Sequence, residues 1–92
     1  MQTIVLKTEQ ATSIRRAAAV LRRGGLVCHP TDTVYGVAAN ALLPDAVARL
    51  YVVKERPRDR AIPLLLGDAS DVERLACDIP DLAYRLMQQF WP

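Results

Sequence analysis

Apolar and polar positions alternate in short blocks along the 92 residues. Thr3-Ile4-Val5-Leu6 is brief, apolar and rich in β-branched residues, which predicts a first strand. After Thr12 and Ser13, two candidate helix caps, Ile14, Ala17, Ala18 and Leu21 recur at helical spacing to about Arg23. That spacing leaves Arg15, Arg16, Arg22 and Arg23 facing water. Gly24-Gly25 stops the helix, because glycine takes a left-handed cap without steric cost. Leu26-Val27-Cys28-His29 predicts a second strand, halted by Pro30. Three short polar residues follow, Thr31-Asp32-Thr33, and Val34-Tyr35-Gly36 is expected to open a helix. Pro44-Asp45 starts a further helix with Ala46, Val47, Leu50 and Tyr51 on its apolar face. It ends near Lys54, since Pro57 pushes Arg56 out of the helical region. Ile62 to Leu66 predicts a third strand, closed by Gly67. Asp68 to Cys77 predicts a short helix with Val72, Leu75 and Ala76 inward, and Pro80 opens a last one in which Leu82, Leu86 and Phe90 repeat every four residues.

Strands alternating with helices predict an α/β fold. Three strands are few for a closed sheet, and the last block, Phe90-Trp91-Pro92, places two large aromatics at the chain end. Residues 1–92 are therefore expected to be one partial domain, cut mid-fold, with an open sheet edge that invites self-association. Composition changes little: 51% hydrophobic and 24% charged residues are ordinary for a globular protein, and a net charge of +2 selects no partner. Cys28 and Cys77 lie far apart, each beside apolar residues, and are expected to be reduced and buried. With His29 the only histidine, no Cys/His metal site is expected. No apolar stretch is long enough for a membrane span, and the expected location is cytoplasmic.

Two segments carry candidate chemistry. In Pro30-Thr31-Asp32-Thr33-Val34-Tyr35-Gly36, hydroxyls and backbone N–H groups at a strand-to-helix turn would suit an anion or a zwitterion. The plain alternative is a capped turn, with Thr31 or Asp32 as the cap and Tyr35 as filler. In Lys54-Glu55-Arg56-Pro57-Arg58-Asp59-Arg60, cations recur at every second residue. An extended backbone would point Lys54, Arg56, Arg58 and Arg60 to one wall, a cradle for polyphosphate. The plain alternative is a solvated loop partly neutralised by Glu55 and Asp59. No Walker loop is present, because Gly24-Gly25 lacks the following Gly-Lys-Ser/Thr.

Taken in order, Gly24-Gly25-Leu26-Val27, Pro30-Thr31-Asp32-Thr33-Val34-Tyr35-Gly36, Lys54-x-Arg56-Pro57-x-Asp59-Arg60-x-Ile62-Pro63-Leu64 and Phe90-Trp91-Pro92 resemble the YrdC-like domain of the threonylcarbamoyl-AMP synthase family. The resemblance spans essentially the whole chain. It implies a twisted open sheet with flanking helices. It also implies a nucleotidyltransferase that condenses L-threonine, bicarbonate and ATP, with Mg2+ on the triphosphate, into threonylcarbamoyl-AMP and pyrophosphate for tRNA modification. By that likeness Thr33 meets threonine and Thr31 and Tyr35 shape its pocket. Lys54 and Arg56 meet the nucleotide phosphates as the catalytic pair, and Arg60 adds a nucleotide contact. His29 stands where the family usually has an aromatic ring, and Ala61 where proline is common. The family's Ser-x-Asn segment does not occur in the sequence, so a fragment with impaired activity is expected. Two other readings accompany this one. One is a double-stranded RNA-binding module using Arg15, Arg16, Arg22, Arg23 and the Lys54–Arg60 cluster. The other is an accessory domain for carbamoyl transfer.

Overall fold

An alanine-rich run without glycine or proline favours a helix from residue 11 onward, and in the computed structural model helix α1 spans Ala11–Arg22. The structure describes residues 2–91. Thr12 and Ser13 do not cap α1. Gln10 occupies the cap position without a side-chain bond, and its carbonyl accepts the Ser13 N–H at 3.0 Å. Ser13 is instead buried, whereas Ile14, expected inside, is 67% exposed. The C-terminal end follows the glycines closely. Gly24 has φ +87°, its N–H donates to the Leu21 carbonyl at 3.0 Å, and Gly25 N–H donates to the Val20 carbonyl at 2.9 Å. This reciprocal pair satisfies two carbonyls that the helix end would otherwise leave open.

The chain then turns into β1 (Val27–His29), which pairs antiparallel with β2 (Gly36–Ala38) in the register Val27↔Ala38, Cys28↔Val37 and His29↔Gly36. Val34-Tyr35-Gly36 therefore leads into a strand and opens no helix, correcting the sequence expectation. The β-branched and aromatic pair Val34-Tyr35 suits extended backbone better than a helix start. Helix α2 follows at Pro44–Val53, with proline in its first turn and Asp45 beside the positive end of the dipole. Its Ala46 and Leu50, at 0% and 4% exposure, are the buried hydrophobic residues.

The chain divides into two compact units, Met1–Ala61 and Ile62–Pro92. In the second, a 3-10 turn at Ala69–Asp71 runs into the short helix α3 (Val72–Leu75), and α4 spans Asp81–Phe90. The Tyr84 hydroxyl donates to a Glu73 carboxylate oxygen at 3.0 Å, tying α4 to α3. The half-buried side of α4 carries Ala83, Tyr84 and Met87, while Leu82, Leu86 and Phe90 stay exposed. Leu75 and Ala76, expected inward, are exposed as well, and Val72 is half-buried.

Two predicted strands are absent. Residues 3–6 and 62–66 carry no strand, because a strand exists only where a neighbour completes its ladder, and the described residues offer these segments none. Pro63 also removes one ladder donor from the second of them. Helices together with a small antiparallel sheet remain an α/β composition. Cys28 and Cys77 are free but exposed, correcting the expectation of burial. Cys28 stands on the open face of a two-stranded sheet, and Cys77 follows the end of α3. No helix among the described residues is long and apolar enough to cross a membrane.

Candidate functional site

The β1–β2 connection, residues 30–35, is organised by Thr31. Its hydroxyl donates to the Val34 carbonyl and accepts the Thr33 N–H at 3.2 Å. Short hydroxyl side chains close local turns in this way, substituting for a backbone partner. Thr33 Oγ1 lies 3.5 Å from Thr31 Oγ1, the outer limit of a hydrogen bond, so it keeps donor and acceptor capacity for a ligand. Tyr35 projects its ring at 73% exposure. At the start of the loop, His29 Nδ1 sits 3.2 Å from the Pro30 carbonyl oxygen. The structure thus brings Thr31 and Thr33 together on a bonded loop between two strands. Without a helix start there, no helix dipole acts on it, and an anion or zwitterion would rely on hydroxyls and loop N–H groups.

The basic segment also differs from the expected extended wall. Lys54 caps α2, and Glu55 adopts φ +53°, the left-handed region that a residue with a side chain enters at a cost of about 1–2 kcal/mol. Lys54 N–H donates to the Leu50 carbonyl at 3.0 Å, Glu55 N–H to Val52 at 3.1 Å and Arg56 N–H to Tyr51 at 3.0 Å. This is the same reciprocal cap that ends α1, here built without glycine. Beyond Pro57 the chain turns again, Arg60 N–H donating to the Pro57 carbonyl at 3.1 Å. The Tyr51 hydroxyl then donates to the Arg60 carbonyl at 2.6 Å. Side chains on a cap followed by a turn do not alternate, so Lys54, Arg56, Arg58 and Arg60 do not share one wall by strand geometry. Instead Lys54 and Arg56 are half-buried, while Arg58 and Arg60 are exposed.

Electrostatically the segment is open. Among the described residues the ion pair is Arg74 with Asp71, at 3.2 Å, and none of Lys54, Arg56, Arg58 or Arg60 has a carboxylate within salt-bridge distance. No hydrogen bond among the described residues joins the 30–35 loop to the 54–60 segment. No group of three or more His, Cys, Asp or Glu side chains gathers among the described residues in a way that would hold a metal ion.

A cleft of about 410 Å³ lies elsewhere in the first unit, lined by Arg23, Gly24, Leu43, Pro44, Asp45, Ala46 and Arg49. It contains none of the six site residues predicted from sequence. Its helix start has little left for an anion, because the Ala46 and Val47 N–H groups already donate to the Leu43 carbonyl at 3.0 and 3.1 Å. Two residues that shape the basic loop, Tyr51 and Glu55, carried no signal as such in the sequence. Tyr51 fits the apolar face of α2, and Glu55 looks like a neutralising charge. Their roles depend on a hydroxyl reaching nine residues ahead and on a positive φ, neither of which is periodic.

Comparison with known proteins places the whole chain in context. The profile of the family Sua5_yciO_yrdC, described as telomere recombination, matches residues 19–92. A Bacillus subtilis protein named threonylcarbamoyl-AMP synthase is 44% identical over 79 residues, covering 86% of this chain and 23% of its own length. A Mycobacterium leprae protein named putative threonylcarbamoyl-AMP synthase is 43% identical over 84 residues, covering 91% of this chain and 38% of its own. Among solved structures, Pyrococcus abyssi Sua5 complexed with L-threonine matches with a TM-score of 0.84 and 41% identity, covering 98% of this chain and 27% of that one. The chain therefore spans less than half the length of each of these relatives.

Proposed function

The chain belongs to the Sua5_yciO_yrdC family, and from that premise we propose that residues 1–92 form the N-terminal half of a YrdC-like domain of a threonylcarbamoyl-AMP synthase. In this reading the chain supplies the threonine loop and one bank of phosphate-binding cations. L-threonine and bicarbonate combine to a carbamate with loss of water. A carbamate oxygen then attacks the α-phosphorus of ATP, the bond to the β-phosphate bridging oxygen breaks, and pyrophosphate leaves. The activated threonylcarbamoyl group would serve tRNA modification in the cytoplasm.

The observation that supports this reading most is the likeness, over 98% of the chain, to a structure complexed with L-threonine. The local chemistry agrees with it. The Thr33 hydroxyl, free at its loop position, suits the polar end of an amino acid, and Thr31 holds the loop that presents it. The exposed ring of Tyr35 supplies a wall. Lys54 and Arg56 carry charge with no carboxylate partner within salt-bridge distance among the described residues. Fixed cations beside the triphosphate lower the repulsion between carbamate and α-phosphate and stabilise charge spread in the transition state. Arg60 extends the same bank toward the nucleotide. ATP would arrive as its magnesium complex, the ion held chiefly by phosphate oxygens.

An assay of the protein at the full length its gene encodes tests the reading. Pyrophosphate release is expected only when L-threonine, bicarbonate and ATP are all present, with threonylcarbamoyl-AMP as the co-product. Release that ignores threonine would overturn it. A second reading, phosphate-directed binding of double-stranded RNA, draws on the exposed Arg15, Arg16, Arg22 and Arg23 of α1. It predicts affinity that falls steeply with salt.

A further inference from the structure

The basic segment is fastened at both ends to one side chain and its own carbonyl. Tyr51 accepts the Arg56 N–H on its main-chain oxygen at 3.0 Å, and its hydroxyl donates to the Arg60 carbonyl at 2.6 Å. Between those fastenings lie Pro57, with its fixed φ, and the turn closed by Arg60 N–H on the Pro57 carbonyl at 3.1 Å. Just before them, Glu55 holds φ +53°. Local strain of that kind persists only when surrounding bonds over-determine the conformation. Here the bonds from Glu55 to Val52 and from Arg56 to Tyr51 do so.

We propose that Tyr51 is a positioning residue for the nucleotide site: it clamps the Arg56–Arg60 loop so that the cations meet a triphosphate already in place. This rests on the phosphate-binding reading of Lys54 and Arg56 given above. Long basic side chains on a free loop would lose rotamer and backbone freedom on binding each phosphate. A loop tied at Arg56 and at Arg60 has lost most backbone freedom beforehand, so less of the interaction is spent on ordering. Tyr51 itself touches no phosphate. Its effect passes through the Arg60 carbonyl, which places the turn, and through the Arg56 N–H, which fixes where the guanidinium starts.

The test compares Tyr51→Phe with wild type in the full-length protein. The ring stays, so packing on α2 is preserved, and only the hydroxyl tether is lost. Binding of Mg-ATP by calorimetry is expected to weaken about two- to tenfold, the range of one hydrogen bond. L-threonine binding should stay unchanged, a split that a general loss of folding would not produce. Amide exchange at Arg58, Asp59 and Arg60 should accelerate, while exchange at Arg56 persists because its partner is main chain. Tyr51→Leu, which removes the hydroxyl without preserving the ring, should weaken Mg-ATP binding at least as much as Tyr51→Phe. Wild-type Mg-ATP affinity in Tyr51→Phe would overturn the clamp. If wild type binds no Mg-ATP, the phosphate reading fails, and the clamp is judged on exchange alone: unchanged exchange at 58–60 in Tyr51→Phe would then overturn it.

Discussion

Replacing Thr31 and Thr33 separately by valine distinguishes the residue that builds the loop from the residue that meets the ligand. Thr31→Val removes both the bond to the Val34 carbonyl and the acceptor for the Thr33 N–H. The position is exposed, so each bond contributes near the lower end of the usual range, about 0.5–1 kcal/mol. Losing both costs the closed loop about 1–2 kcal/mol, roughly a five- to thirtyfold fall in its closed-to-open ratio; where the two forms are comparable in wild type, the closed fraction falls about three- to fifteenfold. The apparent dissociation constant for L-threonine should rise by the same factor. Thr33→Val leaves those bonds in place and removes one ligand contact, so a smaller rise of about two- to tenfold is expected. Calorimetric titration of L-threonine, with amide exchange at Thr33 on the same samples, reads both effects. Faster Thr33 exchange is expected in Thr31→Val and wild-type exchange in Thr33→Val. Unchanged threonine affinity in Thr31→Val, or equal loosening of the loop in both variants, would refute these roles.

Further outcomes follow from the second unit and from the chain as a whole. The Asp68 carboxyl lies below its ordinary value of 3.8, chiefly through the hydrogen bond from the Ser70 hydroxyl and then that from the Ser70 N–H. A depressed acid stabilises the fold above its unfolded value and loses that contribution as pH falls through the folded one. The 69–71 turn should therefore loosen only below pH 3.8, and Ser70→Ala should move the Asp68 titration upward, as read by NMR. The Tyr84 hydroxyl is raised above 10.0 by its bond to Glu73, so the α3–α4 tie is fully present below pH 10.0 and is lost as pH rises through the folded value; Tyr84→Phe should abolish that alkaline step in a fluorescence titration. A Cβ at Gly25 would lie 2.6 Å from Val20 Cγ1 and 3.2 Å from the Val20 carbonyl oxygen. Gly25→Ala should thus destabilise by about 1–3 kcal/mol in denaturant melts of the full-length protein. The second unit leaves Leu65, Leu82, Leu86 and Phe90 exposed, and an apolar surface of that kind favours association. We propose that, isolated, the chain self-associates; light scattering that stays monomeric across a concentration series would contradict this.

Much of the helical framework was legible in the sequence because helices are encoded locally. Gly24-Gly25 and Pro44-Asp45 announced the end of α1 and the start of α2 to within a residue. Strands were less legible. Residues 26–29 showed as a strand and 27–29 paired, but 3–6 and 62–66 have equally suitable side chains and no neighbour among the described residues to complete a ladder. The site residues could be named from their motif, whereas their arrangement could not. Alternating charge suggested an extended wall, and the left-handed Glu55 with the Tyr51 tether produced a folded loop instead. Burial of Cys28 and Cys77, and of Leu75 and Ala76, was misjudged for a related reason. Apolar spacing says which residues share a face and leaves open what covers it.

The most direct test of phosphate binding by this chain is ATP-dependent pyrophosphate release by the full-length protein carrying Lys54→Ala or Arg56→Ala. Each substitution removes one charge-assisted contact, worth about 1.5–3 kcal/mol, so at saturating threonine and bicarbonate kcat/KM for ATP should fall about ten- to a hundredfold. The L-threonine dissociation constant should remain that of wild type. Wild-type kcat/KM in either variant would remove that residue from the nucleotide site and contradict the role assigned to the 54–60 loop.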